Sequence, residues 1–456
     1  FDYCNNGDTV YVDRGIYRET IRFSHKILTI IGVDTDECII DGTGLIGTLY
    51  GPVLILQNFG KIKLYNFTLK RKKSNNDNYS YEYWNLDGDV DIKNCIFDTT
   101  SRALIPTGDT EASNCIYRNV NTAVDASGDY KITISNSLMS LKMWDGNQSA
   151  IKNSVWSGSF KIYNNIIWGH EYNCFYCIYL TTSTGISIKN NLIYGFQNGI
   201  VASTFGDQPD TVEIVNNTII DGKKVGAGMA TGNMPAPIII KNNLIVGFKT
   251  GIAFQHVNTN TDYNLCYNVT RVTNMPPIGE HNIVADPMFN KDTTFSIDAI
   301  DNFRLQKFSP AIDTGDPSIL DVDGSRSDIG MFGGPGGISY EYQDLAPKVV
   351  KKLTASYEPD TNNRVKLTWE PNTEADLKEY YVYKGTAPLL ALDSTKRVAI
   401  LTDTLFYDTI EQKAYYRVTA VDNTGNQGYP SGEVVVRVTD INEVTITENY
   451  EYALYQ

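Results

Sequence analysis

The chain has 456 residues, a formal net charge of −14, 42% hydrophobic residues, 36 glycines and 30 tyrosines. That length implies two or three domains, and the charge argues against nucleic acid as a partner, because phosphate binding needs a basic surface. No run approaches the roughly eighteen apolar residues that a membrane-spanning helix needs, and seven cysteines, an odd count, exclude a complete set of intramolecular disulfides.

The opening FDYCNNGDTVYV already alternates like a strand and carries no signal-peptide pattern, so the N-terminus reads as processed or truncated. Cys4 and Cys38 are candidates for a bridge near this end. Further on, VDIKNCIFDT, TEASNCIYRN and YKITISNSLM place Asn94, Asn114 and Asn136 at similar intervals. Cys95 and Cys115 each follow such an asparagine and are expected to stack as small interior residues. AIKNSVWSG falls outside the pattern, because Asn153 precedes Asn165 by only 12 residues; it is either its own unit or part of a long one.

The pattern then becomes strict. FKIYNNIIWG, ISIKNNLIYG, VEIVNNTIID and IIIKNNLIVG hold Asn165, Asn191, Asn217 and Asn243 at a constant step of 26. Ile162, Ile188, Ile214 and Ile240 share that step, as do Phe160, Ile186, Val212 and Ile238, and also Ile167, Ile193, Ile219 and Ile245. Each unit alternates apolar and variable residues with the two-residue period of a strand and breaks at Asn-Asn. A fixed period of this size marks a solenoid, and one so short and β-branched marks a parallel β-helix. The stacked isoleucines are expected in interior ladders, with asparagine side chains bonded along the axis at the turn. Within the repeat, NCFYCIY contains a lone CxxC, Cys174 and Cys177, which reads as packing rather than zinc because no second ligand pair accompanies it. TDYNLCYN reads as a last, degenerate coil.

Chemistry in such a fold collects where loops interrupt the coil. KRKKSNNDNYSYEYWNLDGD, from Lys70 to Asp89, holds the dense basic run of Lys70, Arg71, Lys72 and Lys73, with Tyr83 and Trp84 downstream. Aromatic rings stack on sugars and cations meet carboxylates or sulfates, so this loop could grip an anionic glycan; the alternative is a solvated charge run. Trp144 and Asp145 in MWDGNQ, and Trp168, His170 and Glu171 in WGHEYN, put titratable groups beside aromatics. Arg102, Asp109, Glu111 and Asp125 lie on preceding coils. Catalysis, if present, would rest on His170 and Glu171 with Asp145 or Asp125, and Trp168 and Trp144 would be stacking walls. The period carries this reading: Trp168 occupies the slot of Tyr194, Ile220 and Val246, and this coil alone then places an imidazole beside a carboxylate. The opposing reading is a histidine bonded to a main-chain carbonyl in an irregular loop.

GDTVYVDRGIYRETI, followed by LTIIGVDTDECIIDGTG and the ladder, resembles the pectate-lyase-like superfamily of right-handed parallel β-helices. That resemblance implies the fold over residues 1–290, but little about function, since the fold hosts lyases, hydrolases, tailspikes and adhesins. ADPMFN and DNFRLQKFSPAIDTGDPSILDVDGSRSDIGMFGGPGG resemble the segment that closes many secreted bacterial β-helices, which implies a cap and linker over 291–345. Within it, Asp321, Asp323 and Asp328 have the oxygen spacing of a calcium loop, although a capped turn needs the same residues and the bidentate glutamate of an EF-hand is absent. No cofactor is required by either reading, and calcium is the one this loop would take.

VKLTWEPNTEADLKEYYVYKG and AYYRVTAVDNTGNQGYPSGEVVV resemble a fibronectin type III domain, implied over 346–440, with Trp369 as its core tryptophan and Tyr416 on a later strand. The closing VTITENYEYALYQ, within 441–456, is similar to the lead-in of the sorting domain of type IX secretion. The expected fold is therefore all-β, a right-handed parallel β-helix followed by a β-sandwich of fibronectin type III type, in a secreted, extracellular or surface-attached protein. Two functions follow: an adhesive or structural surface protein that binds a polysaccharide or another cell-surface component, with room for self-association, or a polysaccharide lyase or glycoside hydrolase acting on an acidic polysaccharide.

Overall fold

The structure is a computed structural model that describes residues 3–18, 26–42, 60–70, 88–126, 128–142, 149–153, 158–169, 174–182, 184–204, 210–220, 225–232, 237–254, 260–274, 279–291, 300–358, 362–389 and 391–438, together with the backbone of 21–24, 54–57, 83–86 and 259. Among these, three long sheets are built by taking one strand from each coil in turn. The first sheet has 11 strands, from Thr9–Val12 to Thr259–Asp262; the second has 12, from Gly15–Tyr17 to Ile283–Val284; the third has 9, from Tyr83–Leu86 to Arg271–Thr273. Every pairing within them is parallel, as between Phe160–Ile186 and Ile188–Ile214 neighbours. The chain is thus a parallel β-helix over this stretch.

The expected ladders are in place. Ile162, Ile188, Ile214 and Ile240 are paired in register and none is exposed. Side chains of one face must point inward together when the register is parallel and unshifted, so β-branched residues pack column on column. The irregular AIKNSVWSG stretch resolves as part of a long coil: Ser149–Asn153 is the third-sheet strand of the coil that begins at Lys131–Ser135, and the step from Ile132 to Phe160 is 28 residues.

The two-residue corner between first and second sheets explains the Asn-Asn repeat. Its first residue has left-handed backbone at Asn94, Asn114, Asn136, Asn164, Asn190, Asn216 and Asn242, with φ between 49° and 58°. Asparagine tolerates that conformation far better than other side-chain-bearing residues. Its second residue is buried, and Asn165, Asn191, Asn217, Asn243 and Asn264 hand a side-chain hydrogen bond down the axis at 2.9–3.0 Å. Each of the first four also donates to the main chain of its own or the preceding coil, for example Asn217 Nδ2 to the carbonyls of Ile188 and Val215. Ser137, Cys115 and Cys95 continue the column toward the N-terminus, and both cysteines are buried thiols. Cys4, Cys38, Cys174, Cys177 and Cys266 are thiols as well, so Cys4 and Cys38 form no bridge, and burial pushes the Cys177 thiol up.

Residues 311–341 belong to the same compact unit as the β-helix. Their hydrogen bonds reach the asparagine corner of successive coils. Asn190 Nδ2 donates to the carbonyls of Met331 and Gly333, Asn216 Nδ2 to the carbonyl of Asp328, and Asn242 Oδ1 accepts from the Asp316 amide. Lys241 closes the strap through Asp316 at 2.5 Å. Left-handed asparagines under the strap are buried, whereas Asn94, Asn114 and Asn136 are exposed.

The second compact unit gathers 286–291, 301–310 and the described residues from 342 onward. It is a sandwich of two antiparallel sheets, one of Thr354–Glu358, Arg364–Thr368 and Leu405–Thr409, the other of Arg397–Leu401, Leu377–Gly385, Ala414–Asp422 and Val434–Val436. Trp369 is buried edge-on to Tyr380, with ring centroids 5.5 Å apart. Tyr416 is fully buried and donates its hydroxyl to Asp408 at 2.6 Å. Residues 439–456, including the stretch similar to a sorting-domain lead-in, lie outside the described residues.

Candidate functional site

Coil interruptions that carry the candidate residues share one corner. The chain passes from second to third sheet between Thr68–Lys70 and Tyr83–Leu86, between Leu138–Leu141 and Ser149–Asn153, and between Ile166–Gly169 and Tyr176–Thr182. Arg71 and Lys72, then Trp144 and Asp145, then His170 and Glu171 belong to these three connections, and all six lie outside the described residues. Tyr83 and Trp84 are described as strand backbone only, in the first strand of the third sheet. Trp168 is half-buried on the second sheet and paired with Tyr194, which in turn pairs with Ile220, as the period requires.

Lys70, which opens the basic run, is exposed and stands in register between Asp41 and Asp98. Those carboxylates also meet Arg18 at 3.4 Å and Arg118 at 3.1 Å. Opposite charges on neighbouring strands stabilise a sheet face, and the register sets Lys70 between those two carboxylates.

Asp125 is the described member of the catalytic set, and it is paired. Its carboxylate lies 3.2 Å from Arg102 and 3.4 Å from Lys152, and its side chain is 3% exposed. Arg102 and Asp125 therefore do share a face, the outer wall of the third sheet. Asp109 and Glu111 do not. Glu111 stands on the first sheet, and Asp109 accepts from the Lys131 amide at 2.9 Å.

The same wall holds residues that the sequence reading passed over. Parallel register sets Asp125 beside Lys152 and Lys152 beside Tyr179 on successive coils. Ile151 and Ile178 point inward, so Lys152 and Tyr179 point outward, and Tyr179 is 38% exposed. Tyr176 lies 4.9 Å from Tyr179 between centroids, and Phe175 meets Tyr176 edge-on at 4.4 Å. Burial and then the neighbouring Tyr179 hold the Tyr176 phenol above its ordinary value, so it is a neutral donor. Strands about 4.8 Å apart put these groups on a strip roughly 10 Å long. The available signal was the alternation of YCIYL itself, in which tyrosine occupies the slot between two inward residues; reading that stretch for CxxC obscured it.

Asp321, Asp323 and Asp328 are spent on their own loop. Asp321 accepts from the amides of Asp328 and Gly334, Asp323 accepts from the Ser325 amide at 2.9 Å and hydroxyl at 2.7 Å, and Asp328 accepts from the Asp313 amide at 2.9 Å. This is the arrangement of capped turns. Burial raises the Asp321 carboxyl above its ordinary value despite those amide bonds.

No family model matches the chain, and no curated protein matches it. Among solved structures, a Fn3-like protein from Clostridium thermocellum is 24% identical over 22% of this chain and 97% of its own, with a TM-score of 0.17. The spore cortex lytic enzyme SleM of Clostridium perfringens is 19% identical over 23% of this chain and 32% of its own, with a TM-score of 0.17. A beta-1,2-glucanase from Parabacteroides distasonis is 26% identical over 20% of this chain and 12% of its own, with a TM-score of 0.16. Matches this partial carry nothing about function. No helix among the described residues is long and apolar enough to cross a membrane.

Proposed function

We propose that the β-helix is the rigid, non-catalytic rod of a secreted or surface-attached protein, that the outer wall of its third sheet binds an acidic polysaccharide, and that the sandwich serves as a spacer. The observation that carries this reading is the register of Asp125, Lys152 and Tyr179 on successive coils, with Arg102 on the same carboxylate. Tyr179 offers a ring face for a sugar, and two cations held side by side offer charge-assisted bonds to its carboxylate or sulfate. Asp125 commits its charge to those cations, which suits a positioning role better than proton transfer. Because the strip lies on strands rather than loops, it is set without ordering cost on binding.

The test uses the full chain on an immobilised acidic polysaccharide, polygalacturonate or a sulfated glycan, eluted with rising salt. Retention is expected, with release by salt because exposed charges are screened beyond about 8 Å at physiological ionic strength. A Lys152→Gln, Tyr179→Ala double variant is expected to lose retention with its thermal midpoint nearly unchanged. Unsaturated products or new reducing ends would replace this reading with an enzyme, and unaltered retention of the variant would remove the wall as the site.

A further inference from the structure

Within the sandwich unit, three carboxylates from three separate chain segments converge. Asp344 lies on the chain that enters the unit, Asp376 immediately precedes the strand Leu377–Gly385, and Asp422 ends the strand Ala414–Asp422. One oxygen of each lies within 4.8 Å of the others. The neighbouring strands enforce this, since Leu377 pairs with Asp422 and the Asn423 amide donates to the Asp376 carbonyl at 2.9 Å. Asp376 is 4% exposed and Asp422 is fully buried. Among the described residues none of the three is paired with a lysine, arginine or histidine.

Asp422 adds a second, independent observation. Its Oδ1 accepts from the Thr424 amide and hydroxyl, both at 2.9 Å, and from the Asn426 amide at 2.8 Å. Its Oδ2 is buried and has no hydrogen-bond partner. A buried carboxylate oxygen left bare beside two further carboxylates is costly, both for lost hydration and for like-charge repulsion. The missing component is a positive charge that bonds oxygen.

We propose that Asp344, Asp376 and Asp422 bind one calcium ion, which ties the entry of the sandwich to the ends of two of its strands. The donor set is all oxygen and anionic, which suits a hard cation and excludes the nitrogen and sulfur ligation of zinc. Three carboxylates from separate chain segments suit calcium's variable shell better than the strict octahedron of magnesium, with water completing it. This site is separate from the aspartates of the strap, whose carboxylates are used by their own turns, and it is independent of the glycan reading.

The experiment titrates calcium chloride into the full chain, stripped with chelator, by calorimetry and follows the thermal midpoint of the sandwich unit. One site is expected, with a midpoint rise that saturates with calcium and is smaller with magnesium at equal concentration. Asp344→Asn, at the most accessible of the three, is expected to weaken binding at least tenfold without preventing folding. Asp422→Asn is expected to abolish it. Asp323→Asn is expected to change neither. Absence of binding to the native chain, an equal response to magnesium, binding that survives Asp422→Asn and Asp344→Asn, or binding lost in Asp323→Asn would each overturn the proposal.

Discussion

Two buried side chains show what a polar group costs inside a column. Asn217 is buried and fully bonded: its amide nitrogen reaches Ile188, Val215 and Asn243, and its Oδ1 accepts from the amide and side chain of Asn191. Leucine there would be of similar volume but would strand donors and acceptors on both neighbouring coils. Each costs about 1–3 kcal/mol unmet, so Asn217→Leu is expected to destabilise the β-helix by about 3 kcal/mol or more in urea unfolding. Tyr117 is the reverse case. It is fully buried, stacked on Phe97 with centroids 4.9 Å apart, and its hydroxyl has no partner. Tyr117→Phe keeps the stack and removes the orphan, so the urea midpoint is expected to stay the same or rise.

The strap over 311–341 is the element whose attachment depends on charge. Burial alone would raise the Asp316 carboxyl, but hydrogen bonds from Lys241 and from the Ser318 amide and hydroxyl outweigh it and hold the group below its ordinary value. A carboxyl lowered in the folded state binds its proton less readily than in the unfolded chain. The stability it adds is therefore complete above the ordinary value of about 3.9 and is lost as pH falls through the lowered value. Asp316→Asn is expected to lower the urea midpoint at neutral pH and to shrink the native loss between pH 5 and pH 2, which paired unfolding curves would measure. A variant that lost stability in parallel with the native chain would show that other acids govern the acid limb.

At the scale of the molecule, a solenoid is a stack of nearest-neighbour contacts, so a whole coil can be removed if the register on either side is equivalent. Lys161 pairs with Ser187, which makes residues 161–186 one unit that begins and ends at the same place. Deleting 161–186 is expected to leave a cooperative β-helix with a smaller denaturant slope, because less surface is exposed on unfolding. Deleting the equally long 213–238 is expected to cost more. It removes Asn216 and shifts Asn242 relative to Asn190, and the strap bonds all three. Circular dichroism and urea unfolding of the two deletions, compared side by side, test this; equal losses would mean the strap adds little.

Local interactions with a fixed period could be read from the chain. The step of 26, the isoleucine columns and the Asn-Asn corner are set by neighbours one coil away, so alternation and spacing alone determined the β-helix, its ladders and its bonded asparagines. Trp369 and the alternating strands around it likewise announced the sandwich. Tertiary structure decided whatever joins residues off that period. Asp125, Lys152 and Tyr179 stand 27 residues apart at each step, where the strict repeat steps by 26, and strand pairing rather than that period puts them on one strip. Asp344, Asp376 and Asp422 meet only because strand pairing folds distant segments together, whereas the more closely spaced Asp321, Asp323 and Asp328 turned to their own amides. Spacing along a chain sets which residues can be neighbours on one strand; pairing between strands sets which charges face each other.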